Sequence, residues 1–121
     1  MKTVLIVDDS ISLRQVVAIS LKGAGYGVIE ACDGRDALNK LDGQKIHLII
    51  SDVNMPNMDG ITFVAEAKKL AAYKFTPIIM LTTEAGAEKK QAGQAAGAKA
   101  WIVKPFQPAQ MLSAVAKLIL P

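Results

Sequence analysis

Cysteine occurs once, at Cys32, so an internal disulfide is excluded and a zinc site cannot be built from thiols. At the end of its strand, Cys32 reads as a small packed side chain. Arginine occurs only at Arg14 and Arg35, and the lysines are mostly scattered, with short pairs at Lys68-Lys69 and Lys89-Lys90. The formal charge is +3, from 14 basic and 11 acidic residues. Without a long basic run, that excess reads as a solvated surface, not as a nucleic-acid interface. No apolar stretch approaches the ~18 residues needed to span a bilayer. The opening MKTVLIVDDS carries one lysine and a short apolar run that stops at two acids, too short for a signal peptide. The expectation is a soluble, cytoplasmic protein with no nucleic-acid or membrane partner. The only histidine, His47, opens a strand at the end away from the acids, where an exposed strand residue is expected and a catalytic base is not.

What is present is an ordinary globular composition, 51% hydrophobic and 21% charged, over 121 residues. A chain of this length buries roughly two-thirds of its unfolded surface, enough for one core without staples. One domain spanning residues 1–121 is expected. Val4-Leu5-Ile6-Val7 is a continuous branched run, suited to a strand covered on both faces. Ser10 can cap the helix that follows, in which Leu13, Val16, Val17, Leu21 and Ala24 form the apolar stripe and Gly25 supplies the stop. The pattern repeats. Val28-Ile29 forms a second strand, Asp33 caps a helix with Ala37, Leu38 and Leu41, and Gly43 ends it. Ile46 to Ile50 forms a third strand, Asp52 to Gly60 a turn-rich stretch, and Phe63, Val64, Ala67 and Leu70 stripe a third helix. Pro77 to Leu81 and Ala100 to Val103 are the last strands. The final helix starts near Pro108 with Leu112, Val115 and Ile119 inward. Five strands alternating with five helices predict an α/β doubly wound sheet. The fourth helix offers mainly alanine to the sheet (Ala92, Ala95, Ala96) and is punctuated by Gly86, Gly93 and Gly97. It is expected to be the most loosely held element, because alanine buries little area and an interior glycine costs about 1 kcal/mol.

In such sheets ligands bind beyond the carboxyl ends of the strands, where the strand order reverses. Asp8-Asp9 follow the first strand and Asp52 follows the third. If those strands are neighbours, three carboxylates converge, and they raise one another's pKa unless a cation joins them. Hard oxygen donors suit Mg²⁺ or Ca²⁺. Thr82 closes the fourth strand with a hydroxyl and Lys104 closes the fifth with an ammonium. Acids, a cation, a hydroxyl and a lysine make a site for phosphoryl transfer onto a carboxylate, with Asp52 as nucleophile. Each group alone is weak: adjacent acids often cap helices, and a strand-end lysine is usually just solvated. Their joint occurrence at four strand ends on one side of the sheet favours the functional reading.

VLIVDDS at 4–10, SDVNMPNMDG at 51–60, MLTTE at 80–84 and WIVKPF at 101–106 resemble the receiver domains of bacterial two-component signalling, of the stand-alone chemotaxis type. The resemblance covers the whole chain. It implies the flavodoxin-like five-stranded parallel sheet, order 2-1-3-4-5. It further implies that Asp52 accepts the phosphoryl group and that Asp9, Asp52 and the backbone carbonyl of Asn54 bind one Mg²⁺, with Asp8 acting through water. Thr82 and Lys104 would contact the phosphoryl group, Asn54 and Glu84 would tune its hydrolysis, and the Lys104-Pro105 peptide would be cis. Receivers usually carry Tyr or Phe where Trp101 stands, as a ring that turns inward on activation. A fixed ring packed at the sheet edge is the alternative. The implied output surface includes Lys90, Lys99, Trp101, Gln107 and Met111. The implied partners of this monomer are a chemotaxis-type histidine kinase as donor, the flagellar motor switch or another protein target, and a phosphatase. Turnover of an external substrate is not expected.

Three rivals stand beside this reading. One is a receiver acting as a phosphate sink or relay outside chemotaxis. Another is a phosphohydrolase of the haloacid dehalogenase type, which places a DxD pattern after its first strand, where this chain has adjacent Asp8-Asp9. The last is a flavin- or nucleotide-binding module, whose phosphate loop after the first strand would need Ser, Thr and Gly amides to attract an anion, where two aspartates would repel one.

Overall fold

The computed structural model describes residues 2–82, 87–104 and 107–120, with only the backbone given at residues 82, 87–90 and 93. The elements run β1 (Thr3–Val7), α1 (Ile11–Gly23), β2 (Gly27–Ala31), α2 (Gly34–Lys40), β3 (Leu48–Ser51), α3 (Gly60–Lys69), a 3₁₀ turn (Ala71–Tyr73), β4 (Ile78–Thr82), α4 (Ala87–Ala96), β5 (Ala100–Val103) and α5 (Pro108–Leu118). All strand pairs are parallel and the order is β2-β1-β3-β4-β5, as the resemblance implied.

Side chains alternate across the sheet, so each strand feeds two cores. Leu5, Val7, Ile49, Ile78 and Met80 pack against Ala37, Phe63, Val64 and Ala67 from α2 and α3. Val4, Ile6, Leu48, Ile50, Ile79, Leu81 and Ile102 pack against Val17, Ala18 and Leu21 of α1 and Met111 and Val115 of α5. Continuous apolar runs are therefore needed in the central strands β1, β3 and β4, which are covered on both faces.

The helix starts follow the capping chemistry. Ser10, Asp33 and Asp59 accept the N–H groups of Leu13, Asp36 and Thr62. Gly25 and Gly43 both adopt positive φ just beyond their helices, at 94° and 101°.

Several inward assignments are corrected. Val16 is 50% exposed, since Val17, Ala18 and Leu21 form the buried stripe of α1 and Val16 lies one step round the helix from it. Ala24 and Leu70 lie beyond the last turns of α1 and α3 and are exposed. In α5 the fully buried pair is Met111 and Val115, with Leu112 and Ile119 only partly covered. The third strand begins at Leu48, while Ile46 is buried outside it. Along α4, Ala92 and Ala95 are exposed, and Ala96, near the C-terminal end, packs on the core.

Gly60 opens α3 directly beneath the end of β3. A Cβ there would lie 1.9 Å from the Asp52 carbonyl oxygen and 3.0 Å from the Met80 Cε, so only glycine fits. Gly60→Ala is expected to destabilise the fold by about 1–3 kcal/mol, the usual cost of overpacking a tight site, measured by urea unfolding. Unchanged stability would show that this helix can slide away from β3.

Candidate functional site

The register between β1 and β3 brings the acids together. Val7 lies opposite Ser51, and the Asp52 N–H donates to the Val7 carbonyl at 2.9 Å, so the residues that leave these strands start side by side. Oxygens of Asp8, Asp9 and Asp52 all lie within 4.8 Å of one another. Asp8 and Asp52 are buried, at 3% and 8% exposure, and Asp9 is exposed.

Lys104, one residue past β5, reaches across the end of β4. Its Nζ lies 3.2 Å from Asp8 Oδ2 and 3.2 Å from Asp52 Oδ2. The other Asp52 oxygen, Oδ1, accepts the Val53 N–H at 2.7 Å. Asp8 Oδ1 accepts the Ser10 N–H at 2.9 Å. Each buried carboxylate thus has one oxygen held by backbone and one turned to the ammonium.

Burial pushes the Asp52 carboxyl above its ordinary range. The Lys104 charge opposes this and the Asp8 charge adds to it. Three carboxylates facing one ammonium leave two negative charges uncompensated, which matches a single divalent cation. Clustered hard oxygens close enough to share one ion fit Mg²⁺ or Ca²⁺ better than a softer metal. The residues present therefore fit a divalent cation, which Asp8, Asp9 and Asp52 could hold.

Of the remaining assigned groups, Thr82 ends β4 opposite Val103 as expected, although its side chain lies outside the described residues. Asn54 is exposed two residues past Asp52. Glu84 and Pro105, and with Pro105 the cis peptide, fall outside the described residues. Trp101 lies opposite Met80 in β5 and is half-buried against the core cluster shared by α2 and α3. On the assigned output surface Lys99 and Gln107 are exposed, and the Lys90 side chain is not described. Met111 is corrected: at 0% exposure it belongs to the α1/α5 core beneath that surface, because it shares the inward stripe of α5 with Val115.

Two further residues differ from expectation. Cys32 is exposed, not packed, because the chain turns outward there before Asp33 caps α2. His47 is half-buried, its Nδ1 accepting the Thr3 N–H at 2.9 Å, which fastens the base of β1 to β3 far from the acids.

The structure adds groups that sequence reasoning did not place. Arg14 Nη1 donates to the Asp8 carbonyl at 2.7 Å while its Nε pairs with Glu30 at 3.0 Å, fixing the backbone that carries the acids. The buried Ser51 hydroxyl donates to the Asp52 carbonyl at 2.9 Å. Asn57 Nδ2 donates to Asp33 Oδ2 at 2.7 Å, tying the loop after Asp52 to the start of α2. A scarce arginine five residues past Asp9 was the only sequence signal for any of these.

The response regulator receiver domain family matches residues 4–116. The chain is 52% identical to the chemotaxis response regulator CheY4 of Vibrio cholerae, whose structure superposes with a TM-score of 0.93 over 98% of both chains. It is 40% identical over 106 residues to the chemotaxis protein CheY1 of Helicobacter pylori, covering 86% of each protein. It is also 37% identical over 112 residues to protein PilG of Pseudomonas aeruginosa, covering 93% of this chain and 83% of that one. With the sheet order, the carboxylates on β1 and β3 and the lysine after β5 in place, this chain belongs to the response regulator receiver family.

Proposed function

We propose that this chain is a phosphorylation-activated response regulator that accepts a phosphoryl group on Asp52 from a histidine kinase and signals by binding another protein. The observation that carries this reading is the Lys104 ammonium, 3.2 Å from both Asp8 and Asp52 at the point where the strand order reverses. Asp52 Oδ1 is engaged by the Val53 N–H, so Oδ2 is the oxygen that attacks phosphorus. An O–P bond forms there as the P–N bond to the donor imidazole breaks, and the leaving imidazole takes up a proton. The Lys104 ammonium, already at Oδ2, then pairs with the phosphoryl oxygens, and Thr82 donates its hydroxyl to them. Asp8, Asp9, Asp52 and the Asn54 carbonyl would hold Mg²⁺, which neutralises charge on the transferring group. Asn54 and Glu84 would tune how fast water removes the phosphoryl group.

Relatives named for chemotaxis favour flagellar motor control, with a chemotaxis-type kinase as donor, a motor switch protein as target and a phosphatase to end the signal. The protein acts as a cytoplasmic monomer and turns over no external substrate. None of the described helices is long and apolar enough to cross a membrane. Exposed Lys99 and Gln107 would lie on the target-binding face.

Acetyl phosphate or beryllofluoride is expected to modify the wild type only with Mg²⁺ present, and Asp52→Asn to abolish the modification, followed by intact-mass analysis. Equal modification in excess chelator would remove the metal role, and a retained hydroxylamine-labile label would place the acceptor elsewhere.

The charge balance gives a second expectation. The folded protein holds the Asp52 proton more tightly than the unfolded chain, so ionised Asp52 costs stability at neutral pH. That cost is absent below the ordinary carboxylate range, about 4, and grows as pH rises from there to the raised value. Asp52→Asn should therefore melt a few degrees above wild type at pH 7, with the gap closing under acid conditions. Mg²⁺ should narrow the gap at pH 7 by stabilising the wild type more than the variant, which lacks one of the three carboxylates. A variant less stable than wild type at pH 7 would mean that the Lys104 pairing outweighs burial.

Trp101, the only tryptophan, gives a third. Beryllofluoride with Mg²⁺ should change its emission or its quenching by iodide, and Asp52→Asn should remove the response. An unchanged signal would make it a fixed packing residue.

A further inference from the structure

The loop between β3 and α3 begins at Asp52 and carries Asn54, so its shape decides where two of the assigned metal ligands sit. It is held in three places. At its base the Gly60 N–H donates to the Val53 carbonyl at 2.8 Å, closing the loop into a ring. Over its far side Met58 lies on Gly34, where a Cβ would come within 2.8–2.9 Å of the Met58 side chain and carbonyl. At its tip Asn57, the only described non-glycine residue with positive φ (67°), donates its amide to Asp33 Oδ2 at 2.7 Å.

Asp33 is buried at 7% exposure and uses both oxygens. Oδ1 accepts the Asp36 N–H at 2.8 Å, capping α2, and Oδ2 accepts Asn57. The Asp36 N–H, and after it the Asn57 amide, hold the Asp33 carboxyl below its ordinary range, so the acceptor is charged and the bond is charge-assisted. A short bond to a buried, helix-anchored carboxylate is a firm point for a loop whose tip is otherwise exposed. Asn tolerates positive φ better than most residues, so one side chain supplies both the turn and the tether.

We infer that Asp33 and Asn57 are positioning residues for the phosphoacceptor loop, holding Asp52 and the Asn54 backbone in the shape that receives a divalent cation. The inference rests on the reading of Asp8, Asp9 and Asp52 as a metal site. Neither residue touches the reacting atoms. Their effect passes along the loop, as partners outside the ligand sphere commonly tune metal affinity.

The two tethering groups can be removed without disturbing their other duties. Asn57→Gly keeps the positive φ and loses the bond. Asp33→Ser keeps a cap for α2 and is too short to reach Asn57. The exchange Asp33→Asn with Asn57→Asp reverses donor and acceptor, and asparagine still caps the helix. With Mn²⁺ alone as probe, free ion counted by electron paramagnetic resonance, each single change should weaken binding roughly tenfold, the lower end for outer-sphere partners. The double variant Asp33→Ser with Asn57→Gly should weaken it no further, because both changes remove one bond. The exchanged pair should restore most of the affinity. The amides of residues 53–55 and 57–60 in the metal-free singles should exchange faster with deuterium, and those of the exchanged pair should return toward wild type.

Unchanged Mn²⁺ affinity in Asn57→Gly, additive losses in the double variant, or no rescue by the exchanged pair would each overturn the inference while leaving the site intact. Failure of the wild type to bind Mn²⁺, or binding indifferent to Asp9→Asn, would overturn the metal site itself and this inference with it.

Discussion

The fold is organised around an electrostatic constraint. Two buried carboxylates and an exposed third occupy the ends of adjacent strands, and one ammonium at 3.2 Å from each buried one keeps them together. Left alone, such charges would repel and the loops that bear them would separate. Several contacts act against that separation. The β1–β3 ladder sets the acids side by side, Arg14 grips the Asp8 carbonyl, and Gly60 lets α3 press against the backbone of Asp52. The site is thus held together with three carboxylates against one ammonium, a charge balance that suits a divalent cation.

The two cores divide the labour. The α1/α5 face is closed by long side chains such as Leu21, Met111 and Val115. On the other face α2 and α3 supply Ala37, Phe63 and Val64, while the α4 end contributes Ala96 and Ala98. Trp101 fills part of this second face from β5, a large ring beside small neighbours.

Much of this was legible in the sequence because it depends on strand ends. Val4 to Val7 and Leu48 to Ile50 are continuous apolar runs, and the acids that stop them had to leave the sheet together once the two strands were neighbours. The caps Ser10 and Asp33 were legible for a similar reason, since the chemistry is local. Helix phase was less secure. Leu112 and Met111 are both apolar and differ by one step round the helix, and it is Met111 that joins Val17 and Ile102 in the core. Cys32 was misplaced because strand end and helix cap adjoin, leaving no length for a packed position between them. The Asp33–Asn57 tether and the Arg14 grip were invisible, because each joins segments whose proximity follows only from the folded topology.

Asp52 has a further property that follows from its neighbours. Its N–H is spent on Val7, its carbonyl receives the Ser51 hydroxyl, and the same carbonyl lies against the start of α3. The peptide planes on either side are immobilised, and almost all remaining freedom lies in two side-chain torsions. A chemical change at this residue can therefore do little work through the main chain of β3. Its influence has to pass sideways, through what the carboxylate touches, and here that is the Lys104 ammonium and the Val53 N–H.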